Sequence, residues 1–261
     1  MNKSVFFLMA AVVLLFSSCI SVRDLNYLQN KGDADALSSI SMVVSKPYRV
    51  QINDVLSLSI KAIDPKLVAI FSTVDGEVGK SPSALYFDGF TVDDHGNIRI
   101  PVLGEMNVIG YTTDEIRLRI EKKLLEEYFN KEANLFVTVK LAGFRYTITG
   151  EIGSTGTKTL FQDRLTIMEA IANSGDIALT GNRKAVTIMR QSPTGVEMHD
   201  LDLTDINVMK SPYYYLQPND FIFVKPLKQK TWGTGKTGLE SISTFVSLIS
   251  LASTMYLLLT K

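Results

Sequence analysis

The sequence is poor in the residues that most often carry chemistry. It has one cysteine, Cys19, in 261 residues, which excludes a disulfide framework and a cysteine-based zinc site. It has two histidines, His95 and His199, which leaves little for histidine-dependent catalysis or metal ligation. It has no charge excess: 27 basic residues meet 27 acidic ones, against the basic balance that phosphate neutralisation requires of a nucleic-acid binder. What is present is apolar, 46% of the chain, enough for a real core and too much for wholesale disorder. The apolar residues concentrate at the two ends.

At the first end, Lys3 precedes the run Val5 to Phe16, then Ser17, Ser18 and Cys19. A basic start, a short apolar stretch and small residues form a secretory signal. The run is about 18 Å long as a helix, too short for a hydrocarbon core of about 30 Å. The lone cysteine stands where cleavage is expected. Residues 1–18 therefore resemble a bacterial lipoprotein signal, with Phe16 where Leu is usual, and Cys19 is the expected lipid attachment point. An ordinary signal peptide with an incidental cysteine is the other reading. Residues 19–45 are polar and Ser-rich and read as a tether.

The middle of the chain alternates strand and helix signals. Leu56, Leu58 and Ile60 fall on one side of a half-buried strand over 55–62. Residues 74–89 read as loop, 93–97 as a turn and 98–100 as a short strand. Thr112 and Glu115 have capping-box spacing, and Ile116, Ile120 and Leu124 follow at helical intervals. Leu135, Val137, Val139 and Leu141 alternate as a strand. A second unit begins at 146–150, with Gly150, Gly153 and Gly156 before a strand over 157–160. Thr166 and Glu169 repeat the capping box, Ile167, Met168 and Ile171 face inward, and Gly175 ends the helix. Strands around Val186–Ile188 and 196–201 flank a Ser-Pro-Thr-Gly hairpin. Gln51-Ile52-Asn53-Asp54 and Gln217-Pro218-Asn219-Asp220 form an internal echo, each ahead of an apolar strand. Two unrelated turns would explain it as well. The fold class is α+β, with two small sheet-and-helix units.

Several motifs invite chemistry and lose to simpler readings. Gly233, Gly235 and Gly238 have dinucleotide-loop spacing, but no βαβ unit with a downstream acidic residue accompanies them. Residues 228–238 read as a Gly/Lys linker. Asp93, Asp94 and His95 read as a solvated turn, His199 as surface, and Glu121, Lys122, Lys123, Glu126 and Glu127 as a solvated helix face. Tyr213, Tyr214 and Tyr215 could stack on sugars and read more simply as a strand of mixed exposure. No nucleophile motif, metal set or cofactor loop emerges, so neither an enzyme nor a cofactor is expected.

From Leu239 to Leu259 there is one charge, Glu240, over about 21 residues, or about 31 Å as a helix. Ser243, Ser247, Ser250 and Thr254 share a narrow stripe with Glu240 at its edge. Phe245, Leu248, Ile249, Ala252, Met255, Tyr256 and Leu259 lie opposite. Three readings compete: a soluble core helix, a lone anchor, and one stave of an oligomeric helical barrel with its hydroxyls to water and its apolar side to lipid. One helix cannot enclose a hole, so the third requires a homo-oligomeric ring. Lys225, Lys228, Lys230 and Lys236 precede the segment and only Lys261 follows. After export of the body this bias is the wrong one for an inner-membrane span.

The order of segments resembles the bacterial outer-membrane polysaccharide export lipoproteins. Tyr48-Arg49-Val50 through Asp54-Val55-Leu56 resembles the opening of their export domain, with Asn53 where Gly is usual. Gly96 through Gly104, and Gly110-Tyr111-Thr112 with Glu115, resemble later segments of it. Thr149-Gly150-Glu151-Ile152, Ala170 to Gly175 and Leu216 to Asp220 resemble a soluble-ligand-binding β-grasp (SLBB) domain, with Thr155-Gly156 in place of Pro-Gly. The resemblance implies an export domain over 46–142, one SLBB β-grasp-like domain over 143–227 and an outer-membrane helix over 239–261. It implies a lipid-anchored channel for capsular or exopolysaccharide, its body in the periplasm, assembled as a ring (commonly an octamer) that works with an inner-membrane polysaccharide co-polymerase. A monomeric periplasmic carbohydrate-binding lipoprotein with a C-terminal anchor is the alternative.

Overall fold

The structure is a computed structural model. It describes residues 22–31, 43–62, 68–71, 88–129, 134–192 and 195–228, with Val246, Ser247, Ile249, Ser250, Leu251 and Thr254. The signal segment 1–18, Cys19 and most of the 74–89 loop and the 228–238 linker lie outside the described residues.

Two buried cores divide the body. The first belongs to a three-stranded sheet in the order β2 (Phe90–Thr91), β1 (Val55–Lys61), β5 (Phe136–Leu141). Both neighbours run antiparallel to β1, and Leu58 faces Val139 in register. A two-stranded hairpin, β3 (Asn97–Ile100) with β4 (Gly104–Asn107), packs beside it. Helix α2 (Thr113–Glu127) closes the unit, following a one-turn α1 (Val22–Leu25) earlier in the chain. Thr112 caps α2 through its hydroxyl, and Glu115 returns its carboxylate to the Thr112 N–H at 2.8 Å. Two otherwise orphaned donors are satisfied at one end. Ile116, Ile120 and Leu124, one face at four-residue spacing, are fully buried against Leu56, Val137 and Ile98 in this core.

The second core lies under a five-stranded sheet in the order β7 (Gly156–Leu160), β6 (Phe144–Gly150), β10 (Phe221–Pro226), β8 (Gly181–Ser192), β9 (Gly195–Leu201). Its central pair, β6 with β10, is parallel, and the remaining pairs are antiparallel. Helix α3 (Ile167–Asn173) covers one face, capped by Thr166 and Glu169. Tyr146 is fully buried beneath it, and its hydroxyl donates to the Ala170 carbonyl at 3.1 Å. Met168 is only half-buried, and Ala170 takes the inward place expected of it.

Two elements differ from the sequence reading. Tyr213–Tyr215 is no strand. A 3₁₀ helix (Ile206–Lys210) ends at Ser211, whose hydroxyl and carbonyl accept from the N–H groups of Tyr213 and Tyr214. This local turn overrides the strand propensity of three aromatics. Only Tyr214 is buried.

The second difference is that residues 22–31 are a strap, not a free tether. They precede the first unit in sequence and lie on the second. Leu28 and Gln29 donate backbone N–H groups to the Leu203 and Thr204 carbonyls, at 3.0 and 2.8 Å. Ion pairs join Lys31 to Asp202 at 2.7 Å and Asp24 to Lys184 at 2.6 Å. Tyr27 hydrogen-bonds Asp176 and lies under the Arg183 guanidinium, 5.3 Å from its ring centre. Burial, then the Asp176 bond, push the Tyr27 hydroxyl up to about 12.

Among the described residues no helix is long and apolar enough to cross a membrane.

Candidate functional site

The echo in the sequence is an echo in space. At each copy the Asp N–H donates to the Gln carbonyl (Asp54 to Gln51, 3.3 Å; Asp220 to Gln217, 3.1 Å), and the Gln N–H returns to Asp Oδ2 at 2.8 Å. Asn53 and Asn219 both sit at φ +68°. Such a turn needs a left-handed residue at its third position, which Asn supplies almost as well as Gly. Each turn also clasps a neighbouring strand. The Asn53 N–H reaches the Val92 carbonyl at 2.9 Å, and the Asp54 carbonyl accepts from Val92 at 2.8 Å. The Asn219 N–H reaches the Arg145 carbonyl at 2.6 Å, and the Asp220 carbonyl accepts from Thr147 at 3.0 Å.

The two carboxylates are both buried but differ in partner. Asp220 takes a two-pronged hold from Arg190, Nε to Oδ1 at 2.9 Å and Nη2 to Oδ2 at 2.7 Å. Asp54 has no cation partner among the described residues. Its Oδ2 accepts from the Tyr48 hydroxyl at 2.7 Å, and its Oδ1 from the Asn219 side-chain amide at 3.4 Å. That last bond joins the turns, so they meet where the units meet. Burial raises both acids above their ordinary range, against the donors that favour the charged form. Burial together with Asp54 holds the Tyr48 phenol far above its usual range, so it remains a donor.

For Asp54 this makes a pH prediction. The folded chain keeps the Asp54 proton to higher pH than the unfolded chain, whose value is near 3.8. This contribution is greatest below that value and is lost as pH rises through the folded pKa. Asp54→Asn should therefore cost about 1 kcal/mol in acid and less at neutral pH. Thermal melts of both proteins between pH 4 and 7 test it, and a gap that widens with pH would refute it.

Between the turns lies a cavity of about 190 Å³. Asn53, Asp54 and Ala142 line one side, and Arg145, Phe161 and Asn219 the other. Arg145 is exposed and has no ion-pair partner among the described residues; Phe161 is 60% exposed. Gly143 stands between them. A Cβ there would meet the Thr159 methyl at 2.6 Å and the Phe161 ring at 3.5 Å. The sequence signalled the turns but neither their meeting nor this hollow. Arg145 and Phe161 sit in stretches where only strand periodicity was visible.

The other singled-out residues fall elsewhere. Asp93 spends its carboxylate on the N–H groups of His95 and Asn97, at 2.9 and 2.8 Å, which builds the turn. His199 is exposed and stacks on Tyr213 with centroids 3.8 Å apart. Its neighbours Asp200 and Asp202 are taken by Lys225 and Lys31. No group of His, Cys, Asp or Glu among the described residues is arranged to hold a metal. Of the stripe candidates, Ser247, Ser250 and Thr254 are helical, as is Ile249 from the opposite side. Thr254 Oγ1 donates to the Ser250 carbonyl at 2.8 Å. Glu240, Ser243, Phe245, Leu248, Ala252, Met255, Tyr256 and Leu259 lie outside the described residues.

Comparison with known proteins gives this geometry a context. Residues 43–141 match the family described as polysaccharide biosynthesis/export protein. Over 155 residues the chain is 28% identical to the EPS I polysaccharide export outer membrane protein EpsA of Ralstonia nicotianae (strain ATCC BAA-1114 / GMI1000), covering 55% of this chain and 39% of that protein. The protein of the same name from Ralstonia solanacearum is 26% identical over 154 residues, with the same coverage. The aligned region thus spans about two fifths of the length of these relatives. The match begins just before Tyr48 and ends at Leu141, so it takes in the first turn, α2 and the whole first sheet. The first unit is thus the part of the chain that matches the pattern of the polysaccharide biosynthesis/export family.

Proposed function

We propose that this chain helps carry polysaccharide across the outer membrane, as a lipid-anchored ring whose C-terminal helices form the passage. The family match over 43–141, with relatives named as outer membrane export proteins, carries this reading. Cys19 would bear the lipid, and residues 46–142 and 143–227 would serve as export and SLBB β-grasp-like domains in the periplasm. Glu240, Ser243, Ser247, Ser250 and Thr254 would face water, and the opposite stripe lipid. The chain would act as a conduit, with an inner-membrane polysaccharide co-polymerase as its partner.

One feature of the fold supports the ring. Among the described residues β7 and β9 are unpaired edges of one sheet, and they run antiparallel to each other. Rotation about an axis along the strands brings β9 of one copy beside β7 of the next in antiparallel pairing. Val196 and Met198 on β9 are 66% and 60% exposed, more apolar than a protected edge should be.

The second reading, a monomeric carbohydrate-binding lipoprotein with a simple anchor, has its own observation. The Thr254 hydroxyl is already bound within its helix, as lipid burial would require. Native mass spectrometry of the detergent-extracted full chain separates the two. We expect a single closed oligomer, and removal of residues 239–261 should abolish surface polymer. A monomer at all concentrations, or intact surface polymer in the deletion, would overturn the channel.

A further inference from the structure

The junction cavity has the makings of a subsite. Its volume of about 190 Å³ is below the 300–1,000 Å³ usual for drug-sized ligands and on the scale of one sugar ring. It offers one fixed positive charge, one aromatic face and a few neutral polar groups. Arg145, on β6 beside the Asn219 clasp, carries a planar guanidinium suited to a carboxylate. Its backbone carbonyl is anchored to Asn219 at 2.6 Å, so the side chain springs from a fixed point. Phe161 follows β7 and stands at the rim. Gly143 omits the side chain that would push Thr159 and the ring apart. Among the described residues the one acid in the lining is Asp54, whose oxygens are engaged by Tyr48, Gln51 and Asn219; it is almost wholly buried, so it offers little repulsion to an incoming anion.

We propose that this cavity binds one anionic sugar residue, a uronate of an acidic polysaccharide. Arg145 takes the carboxylate, Asn53 and Thr159 take ring hydroxyls, and Phe161 covers the apolar face of the ring. The proposal rests on the polysaccharide reading above and narrows it to acidic polymer. The site is shallow and open, which suits a chain that must pass without being held.

The test uses the full chain in detergent micelles, with saturation-transfer NMR against tetragalacturonic acid. Maltotetraose serves as the neutral control, galacturonic acid as the free monomer and sulfate as a bare anion. The tetramer should bind and maltotetraose should not. Arg145→Gln should weaken tetramer binding at least about tenfold, Arg145→Lys less, and Phe161→Ala should weaken it while sparing the melting temperature. Residual binding of the monomer with a strong gain in the tetramer marks a polymer site. Equal monomer affinity marks a site for free sugar acids and overturns the polymer assignment. Equal binding of maltotetraose, unchanged binding in Arg145→Gln, or displacement by equimolar sulfate would overturn the proposal itself. Binding in micelles does not depend on a ring. A monomer that still discriminates the two tetramers would sink the channel and leave this site standing.

Discussion

Asp220→Asn should destabilise the fold by about 3–5 kcal/mol, because it strands a buried guanidinium. The Asp220 and Arg190 side chains are 1% and 11% exposed, so water cannot replace the lost partner. Asp220 Oδ2 accepts two N–H groups at once, Gln217 and Arg190. An amide nitrogen in that place sets donor against donor. Turning the amide over only moves the conflict to Arg190 Nε at Oδ1. Arg190 then keeps one uncharged amide oxygen, the Tyr215 carbonyl at 3.1 Å and the Tyr213 ring at 4.9 Å, with no negative charge to offset its own. For a chain of this size the loss corresponds to a fall in melting temperature on the order of 10 °C. Asp54→Asn provides the internal comparison. Its turn has the same backbone and the same buried acid, but its partners are the uncharged Tyr48 and Asn219. If thermal melts show the two substitutions to cost the same, the cation is not what distinguishes the sites.

Gly150→Ala should be comparably damaging, at about 3–6 kcal/mol from strain and overlap together. Gly150 has φ +96°, outside the comfortable range of any residue with a Cβ. A Cβ there would lie 2.1 Å from the Val224 carbonyl oxygen and 2.9 Å from its carbon. Both are backbone of β10, the strand paired in parallel with β6, so neither can swing aside. The same carbonyl accepts the Glu151 N–H at 3.0 Å just beyond the glycine. The substitution therefore attacks the centre of the second sheet. Chemical denaturation should show the loss, with the first core (Leu56, Ile116, Ile120) the last to unfold. An Ala variant with wild-type stability would mean that β6 and β10 are spaced more widely than described.

These two sites show what a sequence discloses. Both capping boxes were legible because Thr and Glu three residues apart meet across one helical turn, whatever surrounds them. The inward faces of β1, α2 and β5 were legible because their period is local. The Gln-x-Asn-Asp turns were legible as a pattern, since Asn before Asp suits the left-handed third position. Their opposite electrostatics were not, because Arg190 lies 30 residues from Asp220 in sequence. The short strand β4 was missed because Gly104-Glu105-Met106-Asn107 has a single apolar residue and no alternation. The strap was missed for the reason that hid the cavity: Lys31 and Asp202 are 171 residues apart, and no periodicity in 19–45 announces a partner so distant.

That strap alters the mechanical plan of the molecule. The chain touches the second unit first, leaves it to build the whole of the first, and returns. In topology the first unit is an insertion, a loop grown into a domain. Cys19 stands three residues ahead of α1, and Lys228 two residues beyond the last strand, so both ends of the described body issue from the second unit. Any pull applied through a lipid on Cys19 or through the C-terminal segment is borne by the β6–β10–β8 sheet. The first unit, with its Asp54 turn, stands outside that line and meets the second at the Asn219–Asp54 contact.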